Sequence, residues 1–117
     1  MLSKKKIAIG LIGLILNIFN LSHAKEFLIL DVRTPVEFND NHLVGAMNID
    51  FLSPTFKGEV EKLDKNKVFK IYCRSGNRSG KALGVMRDMG FKDLENLGSL
   101  TEASRKLNIR CAKQGPC

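Results

Sequence analysis

The sequence has no tryptophan, a single tyrosine and only three cysteines among its 117 residues. Its cysteines do not form a Cys-x-x-Cys pair, so the motif that thiol–disulfide enzymes commonly carry is absent. The sequence also lacks the ligand spacing of a metal site, and we expect neither a metal ion nor another cofactor. No internal repeat or low-complexity stretch follows residue 24, and the length suits a single domain.

The charge balance is basic, with 19 lysines and arginines against 12 acidic residues. Three of those lysines, at positions 4–6, lie in a segment that we expect to be removed from the mature protein. Without them the basic count falls from 19 to 16, and the formal net charge falls from +7 to +4. A mildly basic domain fits small anionic substrates at least as well as DNA, so we expect no nucleic-acid partner.

The N-terminus has the pattern of a secretory signal peptide. Lysines at 4–6 are followed by an apolar run over residues 7–19 and by small residues at Ser22 and Ala24. The run is shorter than the roughly 20 residues that a membrane-spanning helix needs. We therefore predict that residues 1–24 are cleaved, that the exported protein begins at Lys25, and that it has no stable membrane association. A retained membrane anchor is the alternative.

The mature chain alternates short β-rich runs with segments of helical spacing. We predict strands over residues 27–30, 46–49, 68–72 and 93–97. Helices are predicted over residues 34–41, 53–63, 82–90 and 99–107. Thr34, Pro35 and Glu37 form a capping-box start, and Ser53-Pro54 suggests a second start of the same kind. This order predicts an α/β fold, a mainly parallel central sheet flanked by helices, over residues 25–107.

Export affects how the cysteines are interpreted, because paired cysteines tend to form disulfides in an oxidising compartment. Cys111 and Cys117 lie close together in a tail over residues 108–117 that also contains Gly115 and Pro116. We predict that these two cysteines pair with each other. Cys73 is then the odd cysteine, which makes it a candidate reactive thiol.

Cys73 follows a predicted strand and precedes a predicted helix, where parallel α/β sheets place their sites. Gly76 permits unusual backbone angles in the loop between them. A tight loop turns its N–H groups inward, and the following helix N-terminus adds positive potential. Arg74 and Arg78 add nearby charge. These features favour the thiolate of Cys73, which is the nucleophilic form, over the thiol. We therefore interpret Cys73 as a catalytic residue rather than an inert buried cysteine.

Three segments of the chain, in order, resemble motifs of the rhodanese family. They are residues 31–38 (DVRTPVEF), residues 42–49 (HLVGAMNI) and the loop of residues 73–79 (CRSGNRS). The resemblance spans residues 27 to about 100 and is nearest to the exported, single-domain, phage-shock-type periplasmic rhodaneses. It implies a rhodanese-like fold, a periplasmic location and a thiosulfate sulfurtransferase.

The resemblance implies that Cys73 carries sulfur as a persulfide between a small donor, thiosulfate or a persulfide, and a thiol or cyanide acceptor. In this comparison Arg74 attracts the anionic donor and Arg78 orders the loop. The active loop comprises Arg74, Ser75, Gly76, Asn77, Arg78 and Ser79. The residues expected to be structural rather than catalytic are Asp31, Arg33, Glu37, His42 and Gly45.

Two departures from the family pattern stand out. The family usually has a double glycine and then an aromatic residue after the last strand, whereas residues 97–101 here read LGSLT. We therefore expect an altered outer wall of the site. The tail over residues 108–117 has no counterpart in the family pattern.

Three other functions are alternatives to sulfur transfer. Dual-specificity phosphatases of related fold have five residues between cysteine and arginine, whereas four separate Cys73 from Arg78, a smaller loop that favours sulfur over phosphate. A binding module without catalysis is the second alternative. The third is a thiol–disulfide oxidoreductase that uses Cys73 with Cys111 or Cys117.

Overall fold

The computed structural model describes residues 26–117, so the predicted signal peptide lies outside the described residues. The strands are β1 (Phe27–Asp31), β2 (Met47–Asn48), β3 (Val68–Cys73) and β4 (Asp93–Ser99). The helices are α1 (Pro35–Asp40), α2 (Phe56–Glu61), α3 (Asn77–Asp88) and α4 (Leu100–Leu107). The alternation of strands and helices agrees with the predicted α/β class.

The four strands form one parallel sheet in the order β2-β1-β3-β4. In β1 and β3, successive side chains enter cores on opposite faces of the sheet, as the period of a strand requires. Ile71 packs with the side chains of α2 and α3, whereas Tyr72 packs with those of α4. Because both faces are covered, these central strands are mostly apolar, with Asp31 at the end of β1 and Lys70 within β3 as the charged exceptions.

Three helix ends coincide with signals in the sequence. Thr34 and Glu37 form the predicted capping box at the start of α1, and Ser99 and Glu102 form another at the start of α4. Gly90 follows α3 with a φ of +102°, a left-handed conformation that suits a glycine after a helix. These boundaries lie within one or two residues of the predicted ones, except that α3 begins well before residue 82.

The predicted helix start at Ser53-Pro54 is wrong, because α2 begins only at Phe56 and ends at Glu61. The Ser53 hydroxyl accepts a hydrogen bond from the backbone N–H of Thr55 at 3.2 Å, and the Ser53 carbonyl accepts one from Phe56 N at 3.1 Å. Serine thus stabilises a separate turn before the helix, a common competing use of its side chain. The second strand is also shorter than predicted, at two residues.

The C-terminal tail packs against the domain. Leu43 and Cys111 form an antiparallel bridge, and Ala112 N donates to the His42 carbonyl at 2.7 Å. Cys111 is buried in the core on the α4 face of the sheet. A disulfide joins Cys111 to Cys117, as predicted, and leaves Cys73 unpaired. Within residues 26–117, none of the helices is long and apolar enough to cross a membrane.

Candidate active site

Cys73 is the last residue of β3, and the loop after it leads into α3 at Asn77. Gly76 is the residue before the helix, and its φ of +97° places it in the left-handed region. That conformation lets the chain reverse direction within three residues, which glycine does at no steric cost. The loop therefore closes tightly around the Cys73 side chain.

Hydrogen-bond donors converge on the sulfur of Cys73. Gly76 N donates to Sγ at 3.0 Å, and the Ser79 hydroxyl lies 3.3 Å from the same atom. Burial by itself raises the pKa of Cys73. Hydrogen bonds from the Ser79 hydroxyl and from the N–H groups of Ser79, Ser75 and Gly76 outweigh burial, so the pKa lies below that of an ordinary cysteine. The loop thus stabilises a thiolate in a buried position.

Arg78 joins the active loop to α1. Its Nη1 and Nη2 atoms donate to the two carboxylate oxygens of Glu37 at 2.7 Å and 2.9 Å, a bidentate pair. The hydrogen bonds from Arg78 lower the pKa of Glu37 to about 2 despite some burial. Glu37 also completes the capping box with Thr34, so one carboxylate fixes both a helix start and the active loop.

Two glycines allow the active loop to lie against the end of β4. A side-chain carbon added at Gly76 would meet the Gly98 Cα at 3.2 Å, and one added at Gly98 would meet the Glu102 carboxylate at 2.9 Å. Where the family usually has a second glycine, Ser99 instead caps α4 by accepting a hydrogen bond from Glu102 N at 3.1 Å. The single Gly98 is enough for the close approach, and the serine provides the helix start.

Asn96 also contacts the loop around Cys73, although its position was not predicted from the sequence. Its Nδ2 donates to the Gly76 carbonyl at 3.1 Å, and its Oδ1 accepts from the Ser79 hydroxyl at 2.7 Å. β4 pairs with β3, and a bulge at Leu97 interrupts their register next to Asn96. A polar residue near the carboxyl end of a parallel strand, beside the strand that carries Cys73, was the available signal.

Asp31 and Arg33 lie at the end of β1, beside β3, and form a buried ion pair. Arg33 Nη2 donates to Asp31 Oδ2 at 2.7 Å and to the Asn41 carbonyl at 2.6 Å. Its Nε donates to Asp31 Oδ1 at 3.0 Å, and its guanidinium lies over the Tyr72 ring. These contacts connect the segments after β1 and α1, so the pair has the geometry of a framework element.

His42 and Gly45 lie between α1 and β2. The His42 ring stacks on Phe38, and its Nδ1 lies 2.8 Å from the Phe38 carbonyl, so that nitrogen carries a hydrogen. Gly45 has a φ of +87° in a turn. No hydrogen bond links either residue to Cys73 or to the active loop within residues 26–117.

The remaining loop residues lie at the surface. Ser75 and Asn77 are exposed, and the Ser75 hydroxyl accepts from Asn77 N at 3.4 Å. Arg74 is also exposed, and its side chain forms no hydrogen bond or ion pair with any of residues 26–117. The loop thus presents one unpaired cation to solvent, whereas Arg78 is neutralised by Glu37.

A cleft of about 360 Å³ opens beside Arg74. The active loop and the C-terminal tail both contribute to its walls. Its lining consists of Arg33, Asp40, Asn41, Arg74, Ser99, Leu100, Thr101, Pro116 and Cys117. Ser99 is the register partner of Cys73, so the cleft reaches the edge of the sheet where Cys73 lies. Among residues 26–117 no cluster of histidine, cysteine and carboxylate side chains could hold a metal ion.

Comparison with known proteins agrees with this geometry. The model of the rhodanese-like domain family matches residues 19–104, well over half of the chain. The chain therefore belongs to the rhodanese-like domain family. Its fold class, an α/β single domain with a parallel sheet, is the one that the resemblance of the three motifs implied.

Individual relatives carry sulfurtransferase names. The chain is 34% identical over 73 residues to thiosulfate sulfurtransferase PspE of Escherichia coli K12, covering 62% of this chain and 70% of that protein. It is 35% identical over 78 residues to the probable adenylyltransferase/sulfurtransferase MoeZ of Mycobacterium tuberculosis, covering 66% of this chain but only 20% of that longer protein. A solved structure described as a rhodanese with anions from E. coli matches with a TM-score of 0.61 at 29% identity, covering 76% of this chain and 100% of that one.

Proposed function

We propose that this protein is a sulfurtransferase that carries sulfane sulfur on Cys73 as a persulfide. The observation that carries the proposal is the convergence of hydrogen-bond donors on a buried, unpaired cysteine sulfur at a helix N-terminus. Membership of the rhodanese-like family and the sulfurtransferase names of relatives support it. We further propose thiosulfate, or a related persulfide, as the donor and a thiol or cyanide as the acceptor.

In the first half-reaction, the Cys73 thiolate attacks the outer sulfur of thiosulfate. A bond forms between Sγ and that sulfur, the sulfur–sulfur bond of the donor breaks, and sulfite leaves with the electron pair. Arg74 is the exposed cation next to the cleft and suits the dianionic donor. The product is a Cys73 persulfide whose charge lies on the outer sulfur.

In the second half-reaction, an acceptor thiolate or cyanide attacks the outer sulfur. The bond from that sulfur to Cys73 Sγ breaks, and its electron pair returns to Cys73 as a thiolate. The donors at Gly76 N and Ser79 then stabilise the leaving thiolate, which lowers the barrier to transfer. The two steps make a ping-pong cycle of covalent catalysis that needs no external oxidant or reductant.

The contacts of the site favour sulfur transfer over the other functions considered. Only four residues separate Cys73 from Arg78, one fewer than in the dual-specificity phosphatases of related fold, and the smaller loop favours a persulfide sulfur over a tetrahedral phosphate. The thiol–disulfide alternative needs a partner for Cys73, but Cys111 and Cys117 are joined to each other. A complete set of donors around Cys73 would serve no purpose in a pure binding module.

We propose a periplasmic location for the mature protein, with residues 1–24 removed. The proposal is supported by the signal-peptide pattern of the sequence and by the disulfide between Cys111 and Cys117, which suits an oxidising compartment. N-terminal sequencing of the protein from a periplasmic extract should give Lys25 as the first residue. Recovery of Met1 in a membrane fraction would contradict cleavage.

Intact-mass measurement tests the proposed chemistry. Reduced wild-type protein should gain the mass of one sulfur atom on the peptide that contains Cys73 after incubation with thiosulfate, and cyanide should remove it. Cys73→Ser should show no adduct and no thiosulfate:cyanide transfer, because a serine hydroxyl does not form a persulfide. The double variant Cys111→Ser, Cys117→Ser is the control and should retain the adduct.

Hydrolysis of aryl phosphates provides the second arm of this experiment. We expect none in the wild type or in any variant, because the loop is built around sulfur. If folded, reduced protein forms no persulfide with thiosulfate or with a persulfide donor, the sulfurtransferase proposal fails. Phosphate hydrolysis that depends on Cys73 would instead identify a phosphatase.

A further inference from the structure

Ser79 lies between two groups that compete for its one hydroxyl hydrogen. Its Oγ is 3.3 Å from Cys73 Sγ on one side and 2.7 Å from Asn96 Oδ1 on the other. Ser79 and Cys73 are both fully buried, so the contact between these two side chains is shielded from water. A hydroxyl group donates one hydrogen bond at a time, although it can accept others.

The orientation of the Asn96 amide is fixed by its two other contacts. Gly98 N donates to Asn96 Oδ1 at 3.0 Å, and the Gly76 carbonyl accepts from Asn96 Nδ2 at 3.1 Å. A flipped amide would place two donors together at Gly98 and two acceptors together at Gly76. The oxygen of Asn96 therefore faces Ser79, and towards Asn96 the Ser79 hydroxyl can only donate.

Two hydrogen-bond arrangements follow, one for each charge state of Cys73. When Cys73 is a neutral thiol, Ser79 donates to Asn96 and accepts from the S–H group. When Cys73 is a thiolate, the Ser79 hydroxyl turns and donates to the sulfur. Asn96 Oδ1 then keeps the hydrogen bond from Gly98 N, so the change leaves no buried acceptor without a partner.

We propose that Asn96 is a positioning residue that acts on Cys73 through Ser79. When the Cys73 sulfur is neutral, the Ser79 hydroxyl donates its hydrogen bond to Asn96. When the sulfur is charged, the hydroxyl donates to the sulfur instead. The inference rests on the proposed role of Cys73 as the nucleophile. In the persulfide, Cys73 Sγ is a neutral bridging atom, and the Ser79 hydroxyl donates to Asn96. As the acceptor removes the outer sulfur, Sγ takes up charge and the hydroxyl turns back to it.

Removal of Asn96 should change the thiolate fraction of Cys73 in the direction opposite to that expected if Asn96 only anchored the loop. Without Asn96 Oδ1, the Ser79 hydroxyl donates to Cys73 permanently, so Asn96→Ala should increase the thiolate fraction below the cysteine pKa. Loosening the loop would do the reverse, because the N–H groups around the sulfur would become disordered. Asn96 is exposed, so its replacement by alanine leaves no buried cavity.

The pH dependence of alkylation of Cys73 by iodoacetamide measures this effect without any sulfur donor. At a fixed pH below the cysteine pKa, Asn96→Ala should react faster, roughly fivefold, which is the size that one ordinary hydrogen bond gives. Ser79→Ala should react more slowly than wild type. In the Ser79→Ala background, Asn96→Ala should no longer increase the rate. An unchanged or slower rate in the Asn96→Ala single variant overturns the proposal.

A second variant keeps the proposal testable if Asn96→Ala folds poorly by circular dichroism. In Asn96→Asp a carboxylate accepts the Ser79 hydrogen more strongly, so alkylation should slow by more in the Ser79 background than in the Ser79→Ala background. Equal slowing in both backgrounds would mean that the new charge acts directly on Cys73, and the relay through Ser79 would be wrong. Because alkylation requires no persulfide, failure here is distinct from failure of the proposed sulfur transfer.

Discussion

The active loop (residues 74–79) and the C-terminal tail (residues 108–117) both border the cleft beside Arg74, but they are held by different forces. The loop is fixed by charged and polar contacts, chiefly the ion pair between Arg78 and Glu37. The tail is fixed by a disulfide, a backbone bridge to Leu43 and the burial of Cys111. The difference suggests that the loop sets the chemistry, whereas the tail sets the shape of the space around it.

The charged attachment of the loop should respond to pH, whereas the attachment of the tail should not. The pKa of Glu37, about 2, lies below the ordinary value of 4.5, so its ion pair contributes stability above the unfolded-state pKa. That contribution is lost as the pH falls from about 4.5 towards 2. Protonation of Glu37 should therefore release Arg78 and loosen the loop without affecting the disulfide.

Among substitutions that affect the loop or the tail separately, Glu37→Gln should have the largest effect. We expect it to lower the free energy of unfolding at neutral pH by about 2 kcal/mol, since the pair is only partly exposed. It should also flatten the acid dependence of stability and reduce sulfur transfer, because Arg78 no longer orders the loop. Urea unfolding at several pH values and a thiosulfate:cyanide assay measure these effects.

Glu59→Gln is the matched control for Glu37→Gln. Glu59 also pairs with a basic residue, Lys62, but both side chains are largely exposed. An exposed pair of this kind contributes at most about 1 kcal/mol, so stability and activity should change little. Equal effects of the two substitutions would show that the Arg78–Glu37 pair has no special role in the loop.

A narrower effect, similar in stability but without loss of the chemistry at Cys73, should follow from Cys117→Ser. Loss of the disulfide should cost roughly 2 kcal/mol of stability, given the short loop that it closes. Transfer to cyanide should be nearly unchanged, whereas bulky thiols should gain relative to cyanide because Cys117 lines the cleft. Thermal unfolding and the ratio of the two transfer rates provide the measurements.

Reductant offers a control for the tail in the unfolding experiment. It should destabilise the wild type by as much as the substitution does and should leave Cys117→Ser unchanged. A loss of cyanide transfer in Cys117→Ser, in proportion to the loss with thiol acceptors, would contradict the separation between loop and tail.

The smallest effect should come from Arg74→Ala, which removes the unpaired cation of the loop. Arg74 makes no hydrogen bond or ion pair within residues 26–117, so stability should not change. The KM for thiosulfate should rise by roughly three- to tenfold, the size expected for one lost charge-assisted contact. A neutral persulfide donor should be used almost as well as before. Arg87→Ala, at the far end of α3, removes the same charge and should leave the KM unchanged.

Local sequence signals predicted most of the secondary structure. The sequence pattern gave all four strands to within one or two residues at each end, and the capping boxes at Thr34 and Ser99 gave two helix starts. The start of α2 was mispredicted because Ser53 can stabilise either a helix or a turn, and local pattern does not distinguish them. The lengths of β2 and β4 depended on which strands lie beside them.

The contacts that complete the site join distant parts of the chain. Glu37 and Arg78 are 41 positions apart, and Ser79 and Asn96 are 17 apart. Glu37 was expected to be structural, but nothing in the sequence showed that its partner is Arg78. Asn96 was not predicted, because the only signal for it, a polar residue near the end of a strand, is shared by many residues without a role in a site.

The sequence by itself determined the alternation of strands and helices, the position of Cys73 at a strand end and the glycine that lets the loop close. These features depend on neighbouring residues, whose preferences for backbone angles, capping and burial act locally. Only the tertiary structure decided that Asn96 accepts a hydrogen bond from Ser79 and that the tail borders the cleft. Both contacts require the sheet to pack first, because the order of its strands brings distant residues to one edge.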